Sequence, residues 1–175
     1  MVSRSSARAA ICAPLSAIAE GLAAARPVAG RLVRHRLPGG AWLVDDSYNA
    51  NPGSLAAAID TLSTARGGGW LVLGDMSELG DDAVALHEAA GRRAREAGVA
   101  RLFALGGLAA KAADAFGEGA SVAGSHDELA AALRAALAGL DGGAPAPTVL
   151  VKGSRGSAMD RVVRALLQGV EDDAA

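Results

Sequence analysis

The chain has 175 residues, enough for one domain with a short appendage, and its 51% hydrophobic and 21% charged residues predict a packed core rather than intrinsic disorder. Aromatic residues make up only 3% and the formal net charge is −2, which argues against a nucleic acid or an anionic membrane as partner. The single cysteine, Cys12, excludes an internal disulfide and a cysteine-based zinc site, and we interpret it as a small buried apolar side chain.

The first part of the chain predicts a helix rather than a targeting peptide. Residues 1–19 contain two arginines, several small residues and no acid, as targeting peptides do. Residues 14–25, however, place Leu15, Ile18 and Leu22 on one face of a helix. No apolar run approaches the roughly 20 residues of a membrane span, so we expect no membrane partner.

The rest of the chain predicts a doubly wound α/β fold. Residues 31–37 alternate as a strand, and Pro38-Gly39-Gly40 turns the chain into a second strand at 41–45, so we expect a β-hairpin. Strands and helices then alternate, which predicts a mostly parallel sheet of about six strands with right-handed crossovers. The further predicted strands are 70–74, 101–105, 120–123 and 148–151, and the predicted helices are 54–62, 83–97, 108–116, 125–140 and 157–168. Ser125 and Ser157, each with an acid three residues on, predict capping boxes at the last two helices.

Polar side chains collect in three loops, at residues 45–52, 74–80 and 152–156, which we call the first, second and third strand-end loops. Each follows a predicted strand of the same parallel sheet, so all three should open on its carboxyl edge, where ligands bind in such folds. Loops predicted for the opposite edge, at 67–69 and 142–147, contain mostly Gly, Ala and Pro. This asymmetry predicts a ligand site at the carboxyl edge.

The residue types in these loops suit an anionic, hydroxylated ligand. Lys152 and Arg155, close to glycines, can approach a carboxylate or phosphate. Asn49 and Asn51 offer hydrogen bonds to a base or ribose, and Tyr48 can stack or donate. The acidic residues that could hold a cation or orient a hydroxyl are Asp45, Asp46, Asp75 and Glu78.

Each loop taken alone also has an ordinary structural interpretation. Asn51 before Pro52 is usual at a helix start, and Asp75 could cap the next helix. His87, inside a predicted helix, is more often a packed or solvated histidine than a ligand. The sequence also lacks a Gly-x-x-x-x-Gly-Lys-[Ser/Thr] phosphate loop, a Gly-x-Gly-x-x-Gly fingerprint and a Gly-x-Ser-x-Gly elbow. The residues by themselves therefore favour a binding surface over a self-contained active site.

Four segments resemble the Mur ligases in order and spacing. The form Asp-Ser-Tyr-Asn-Ala-Asn-Pro at 46–52 is similar to the branch that joins D-alanyl-D-alanine to UDP-N-acetylmuramoyl-tripeptide, and His87 lies where that branch commonly has a histidine. The resemblance runs from about residue 14 to residue 170. The segments are Pro-Val-Ala-Gly-Arg-Leu at 27–32, the first loop at 45–52, Leu-Gly-Asp-Met-Ser-Glu-Leu-Gly at 73–80 and Val-Lys-Gly-Ser-Arg at 151–155.

The resemblance implies part of a three-domain, ATP-dependent amide ligase of peptidoglycan precursor synthesis that works through an acyl phosphate. Residues 1–29 would be the end of the central ATPase domain, 30–170 the C-terminal Rossmann-like domain and 171–175 a tail. The phosphate loop and most Mg²⁺ ligands belong to the central domain, so we expect no metal site and no ATP turnover in this chain alone. The implied setting is a cytoplasmic, monomeric ligase acting with its central and N-terminal domains.

The resemblance also implies roles for individual residues. Arg31 would contact the ATP phosphate or the acyl phosphate, and Asp46 would be a second catalytic residue. The nucleotide side would be lined by Tyr48, Asn49 and Asn51, and the dipeptide side by Lys152, Ser154 and Arg155. Further candidates are Asp75, Glu78 and His87.

Two alternatives stay open on the sequence. The chain could be a stand-alone binding domain derived from such a ligase, without catalysis. It could also be a flavodoxin-like module for a small ligand or phosphate, but that hypothesis leaves the four matching segments unexplained.

Overall fold

The structure is a computed structural model that describes residues 14, 16–17, 28–140, 143 and 145–168. Its strands are β1 Val33–Arg36, β2 Trp42–Asp46, β3 Gly69–Gly74, β4 Arg101–Leu105, β5 Ala120–Ala123 and β6 Thr148–Lys152. The α-helices of the described part are α1 Pro52–Ser63, α2 Ala83–Glu96, α3 Gly107–Phe116, α4 His126–Ala138 and α5 Asp160–Leu167. Short 3-10 turns lie at Pro38–Gly40, Gly80–Asp82 and Arg155–Ser157.

The six strands form one sheet in the order β1-β2-β6-β3-β4-β5. Only β1 runs antiparallel, paired with β2 as the predicted hairpin, and the other neighbours are parallel. The predicted doubly wound, mostly parallel α/β fold is therefore confirmed. The last strand in sequence, β6, lies between β2 and β3, so the carboxyl ends of these three strands are neighbours.

Two apolar layers sandwich the sheet. Strand β3 is buried along its whole length, with Leu71 and Leu73 in one cluster and Trp70 and Val72 in the other. Such a run of apolar residues is typical of a parallel strand covered on both faces. Helices α1, α2 and α3 cover one face, and α4 and α5 cover the other.

The two predicted capping boxes have different outcomes. The Ser125 hydroxyl accepts the Glu128 N–H at 3.2 Å, as predicted, while the Glu128 carboxylate accepts from Gly124 N–H at 2.7 Å, one residue before the cap. The box at Ser157 is wrong, because its hydroxyl donates to the Ser154 carbonyl instead.

The final helix accordingly begins at Asp160 rather than at Ser157. Residues Arg155–Ser157 form a 3-10 turn, and Ala158 follows with φ 48°, in the left-handed region, so a continuous helix from Ser157 is impossible.

Several predictions concern residues outside the described part. These are the interpretation of Cys12, nearly all of the helix at 14–25, most of the proposed central-domain remnant at 1–29, and the tail at 171–175. Among the described residues, no helix is long and apolar enough to span a membrane.

Candidate functional site

The three strand-end loops meet in one pocket of about 440 Å³ at the carboxyl edge of β2, β6 and β3. Every residue of its lining belongs to one of these loops, which are separated by up to about 100 residues in sequence. The predicted convergence therefore occurs. The lining residues are Tyr48, Asn49, Ala50, Asn51, Ser77, Glu78, Ser154 and Arg155.

Ser154 joins the three loops. Its hydroxyl accepts a hydrogen bond from Ser77 N–H at 2.7 Å and donates to the Ala50 carbonyl at 3.3 Å. Its own N–H donates to the Asp75 carbonyl at 3.0 Å. The residue is only 3% exposed, so these bonds form out of bulk water, where a missing partner is costly. Ser154 thus lines the pocket and also fixes the relative position of its walls.

The two asparagines of the first loop are partly committed to the backbone. The Asn51 side chain accepts the Ser54 N–H at 2.8 Å, and the Ser54 hydroxyl accepts the Asn51 N–H at 3.1 Å, which makes a reciprocal capping box at the start of α1. The Asn49 side-chain oxygen accepts the Ala50 N–H at 2.9 Å. Both asparagines line the pocket, so their NH₂ groups are the part that a ligand can use.

A buried ion pair lies behind the first loop. The Lys152 ammonium donates to the Asp46 carboxylate at 2.5 Å and to the Asn49 carbonyl at 3.0 Å. The side chains are only 3% and 16% exposed, respectively. The neighbouring Asp45 carboxylate stabilises the turn after β2 by accepting the Ser47 hydroxyl and N–H. Lys152 and Asp46 are therefore next to the pocket without lining it.

Tyr48 lies between two arginines. The Arg31 guanidinium carbon is 4.4 Å from the centre of the Tyr48 ring, and the Arg155 guanidinium carbon is 5.3 Å from it. Among the described residues neither arginine makes a salt bridge, so both cations can receive an anionic group. Gly30 brings Arg31 to this position: its φ is +74° and a Cβ would lie 3.0 Å from the Tyr48 nitrogen.

Asp75 and His87 support the second loop from behind. The Asp75 carboxylate accepts the Ala109 N–H at 2.6 Å and so caps α3, a helix later in the chain than the one suggested by sequence. His87 is fully buried, and its Nε2 accepts the Met76 N–H at 2.9 Å. Its Nδ1 lies 2.6 Å from the Ala83 carbonyl and must carry the proton, because a carbonyl oxygen can only accept. Neither side chain lines the pocket.

Glu78 and Ser77 form the wall contributed by the second loop. Glu78 has φ +63°, in the left-handed region that favours glycine. Ser77 lines the pocket but has no feature in the sequence that marks it as a site residue. Its position between two candidates in one loop was the only signal, and a hydroxyl residue in a loop is too common for that signal to be specific.

A larger open groove of about 1670 Å³ begins at the first loop and extends along the hairpin and α1. Because its walls come mainly from these elements and not from the strand-end loops, we take the smaller pocket as the candidate site. Within the described residues, no group of three or more His, Cys, Asp or Glu side chains is arranged to bind a metal.

Comparisons with known proteins identify the family of this chain. Residues 30–155 match the family model described as "Mur ligase, glutamate ligase domain". The UDP-N-acetylmuramoyl-tripeptide–D-alanyl-D-alanine ligase of Escherichia coli is 42% identical over 154 residues, which cover 88% of this chain and 33% of that protein. Its counterpart from Mycobacterium bovis is 34% identical over 183 aligned residues, covering 91% and 36%.

Solved structures of ligases share the fold. A crystal structure of MurF from Acinetobacter baumannii superposes with a TM-score of 0.78 at 27% identity, over 92% of this chain and 35% of that one. The MurF ligase of Thermotoga maritima, solved in complex with ADP, gives 0.68 at 26% identity, over 87% and 34%. This chain therefore spans about a third of the length of the relatives it matches.

Proposed function

Because this chain belongs to the Mur ligase family and corresponds to the C-terminal domain of its members, we propose that it is part of an ATP-dependent ligase that joins D-alanyl-D-alanine to UDP-N-acetylmuramoyl-tripeptide. The observation that carries the proposal is the convergence of three polar loops on one pocket, beside two guanidinium groups that form no salt bridge within the described part of the chain. The relatives' names supply the reaction, a ligation in peptidoglycan precursor synthesis.

The proposal divides the pocket and its rim into two sides. Arg31 and Tyr48 face the phosphates of the nucleotide or the acyl phosphate, with the NH₂ groups of Asn49 and Asn51 beside them. Arg155 receives the carboxylate of the dipeptide. The support for these roles is chemical: guanidinium groups suit phosphates and carboxylates. An ADP complex in the Thermotoga maritima relative supports nucleotide use.

Lys152, Asp46 and Ser154 act in this proposal by holding the loops. The Lys152 ammonium is bound to the first loop, and Ser154 bonds to the other two loops. Positions of the reacting groups must hold to a fraction of an ångström, so loops fixed in this way contribute to rate.

The finer parts of the proposal concern setting and cofactors. We propose ATP with Mg²⁺ as the cofactors, and a cytoplasmic, monomeric enzyme that serves cell-wall growth, division and shape. In this proposal the Mg²⁺ ligands belong mainly to the central domain, as the family resemblance implies. Because the sequence has no phosphate loop, we propose that the chain alone does not turn over ATP.

The test is a chimera in which this chain follows the first two domains of the Escherichia coli relative. We expect phosphate release that requires ATP, the UDP-linked tripeptide and D-alanyl-D-alanine together. R31A should abolish turnover, because it removes one of the two cations at the pocket rim. R92A is the matched control, since Arg92 pairs with Glu88 on the exposed surface of α2.

Two results would contradict the proposal. One is a chimera whose phosphate release does not depend on D-alanyl-D-alanine, and the other is full turnover by R31A. For the isolated chain we expect weak ATP binding at best, because the phosphate loop is missing, and sub-micromolar ATP affinity in calorimetry would contradict this expectation.

A further inference from the structure

The pocket contains one charge of each sign. Among its lining residues Glu78 is the one acidic and Arg155 the one basic side chain, and they come from different loops. Both are exposed, and in the described part of the chain neither forms a salt bridge. The remaining polar lining is uncharged, from Asn49, Asn51 and the hydroxyl residues. Two unpaired charges of opposite sign in one pocket complement a zwitterion better than a polyanion.

The backbone at Glu78 is strained. With φ +63° the residue occupies a region that glycine adopts at no steric cost, and Gly80 lies two positions away with φ +59°. The two residues that precede Glu78 are fixed by hydrogen bonds, because Ser77 N–H bonds to Ser154 and Met76 N–H bonds to His87. Strain of this kind clusters at ligand sites, where the side chain is needed in place.

We infer that Glu78 selects a ligand that carries a free ammonium group, with the carboxylate of the same ligand at Arg155. The pocket volume of about 440 Å³ suits a molecule of dipeptide size. This inference rests on the proposed function, in which the incoming group is a dipeptide whose amine is the nucleophile. The inference adds to that function the residue that recognises the amine end of the dipeptide before reaction. A dipeptide whose amine is blocked would therefore be rejected.

The experiment measures three probes on the isolated chain by amide chemical-shift titration. The probes are D-alanyl-D-alanine, its N-acetyl derivative, which lacks the ammonium, and its C-terminal amide, which lacks the carboxylate. The wild-type chain should bind the free dipeptide roughly tenfold tighter than the N-acetyl form, as expected for one charge-assisted hydrogen bond. E78Q should abolish that preference and keep the preference for a free carboxylate.

A second variant separates recognition from folding. E78G also removes the carboxylate, but glycine adopts the positive φ of this position without strain. The variant should therefore lose the preference for an ammonium group while its thermal midpoint rises. E118Q is the matched control, because Glu118 is exposed in the loop before β5, at the opposite edge of the sheet, and it should keep both preferences.

The outcomes distinguish this inference from the proposed function. If the wild-type chain prefers the free dipeptide and E78Q does so equally, the role of Glu78 is refuted while the dipeptide pocket stands. A wild-type chain that binds the N-acetyl form as tightly as the free dipeptide also refutes it. If none of the three probes shifts the loop amides, the dipeptide assignment itself is wrong, and the inference falls with it.

Discussion

The Asp46–Lys152 ion pair gives the sharpest test of how the pocket is held. The perturbation is D46N, which keeps the shape of the side chain and removes its charge. Lys152 is 3% exposed, and among the described residues its other hydrogen-bond partner is the Asn49 carbonyl, so the variant leaves an ammonium buried without a counter-charge. Breaking a buried pair in this way costs about 3–5 kcal/mol. For a chain of this size that corresponds to a fall in thermal midpoint of roughly 6–20 °C.

The reverse variant should be milder. K152M replaces the buried ammonium with an apolar chain of similar length, and Asp46, 16% exposed, keeps some access to water. We expect K152M to cost about 1–2 kcal/mol, the range for one lost hydrogen-bonded partner. The double variant should recover most of the loss caused by D46N, because an uncharged pair needs no desolvated ion.

The assay is urea unfolding of the four proteins, followed by circular dichroism and analysed as a double-mutant cycle. D60N is the matched control, because Asp60 makes a close pair with Arg93 at the surface and is 60% exposed. It should cost no more than about 1 kcal/mol. The reasoning fails if D46N is no more destabilising than D60N, or if the two changes at 46 and 152 are simply additive.

Two further predictions concern the second loop. H87Q keeps an acceptor for the Met76 N–H, whereas the shorter side chain of H87N reaches only the Ala83 carbonyl. In thermal melts H87N should therefore be less stable than H87Q by about 1–3 kcal/mol, the cost of one buried unpaired N–H. Equal melting of the two variants would argue against the bond to Met76. G106A places a methyl group 2.4 Å from the Asp75 carboxylate, at a position with φ +116°. We expect the free energy of unfolding, measured in urea, to fall by about 2 kcal/mol or more. A change of less than about 0.5 kcal/mol would contradict this geometry.

Local patterns in the sequence were sufficient to predict the strands and helices of the fold. The buried run at β3 and the alternation of strands with helices predicted the sheet, because apolar periodicity is set by which faces are covered. The predicted start of the final helix was wrong because of one backbone conformation. Ala158 has a left-handed φ, so α5 begins three residues later than predicted. An alanine carries no sequence signal for such a conformation, so the capping-box pattern at Ser157 was misleading.

The candidate site was only partly predictable for a different reason. The three loops could be assigned to one edge, since parallel strands share the direction of their ends. The partner of each side chain could not be assigned. Asp75 resembles a cap for the following helix and instead caps α3, and His87 gives no indication that it receives the Met76 N–H.

The sequence by itself determined that polar loops follow three strands of a parallel sheet, because strand periodicity and loop composition are local properties. Only the tertiary structure decided that β6 inserts between β2 and β3 and makes those loops neighbours. That placement commits Lys152 to Asp46 and Ser154 to two distant backbones, which leaves Glu78 and Arg155 as the charged residues of the pocket. These contacts join residues up to 106 positions apart, and no local period in a sequence records which of two distant groups will meet.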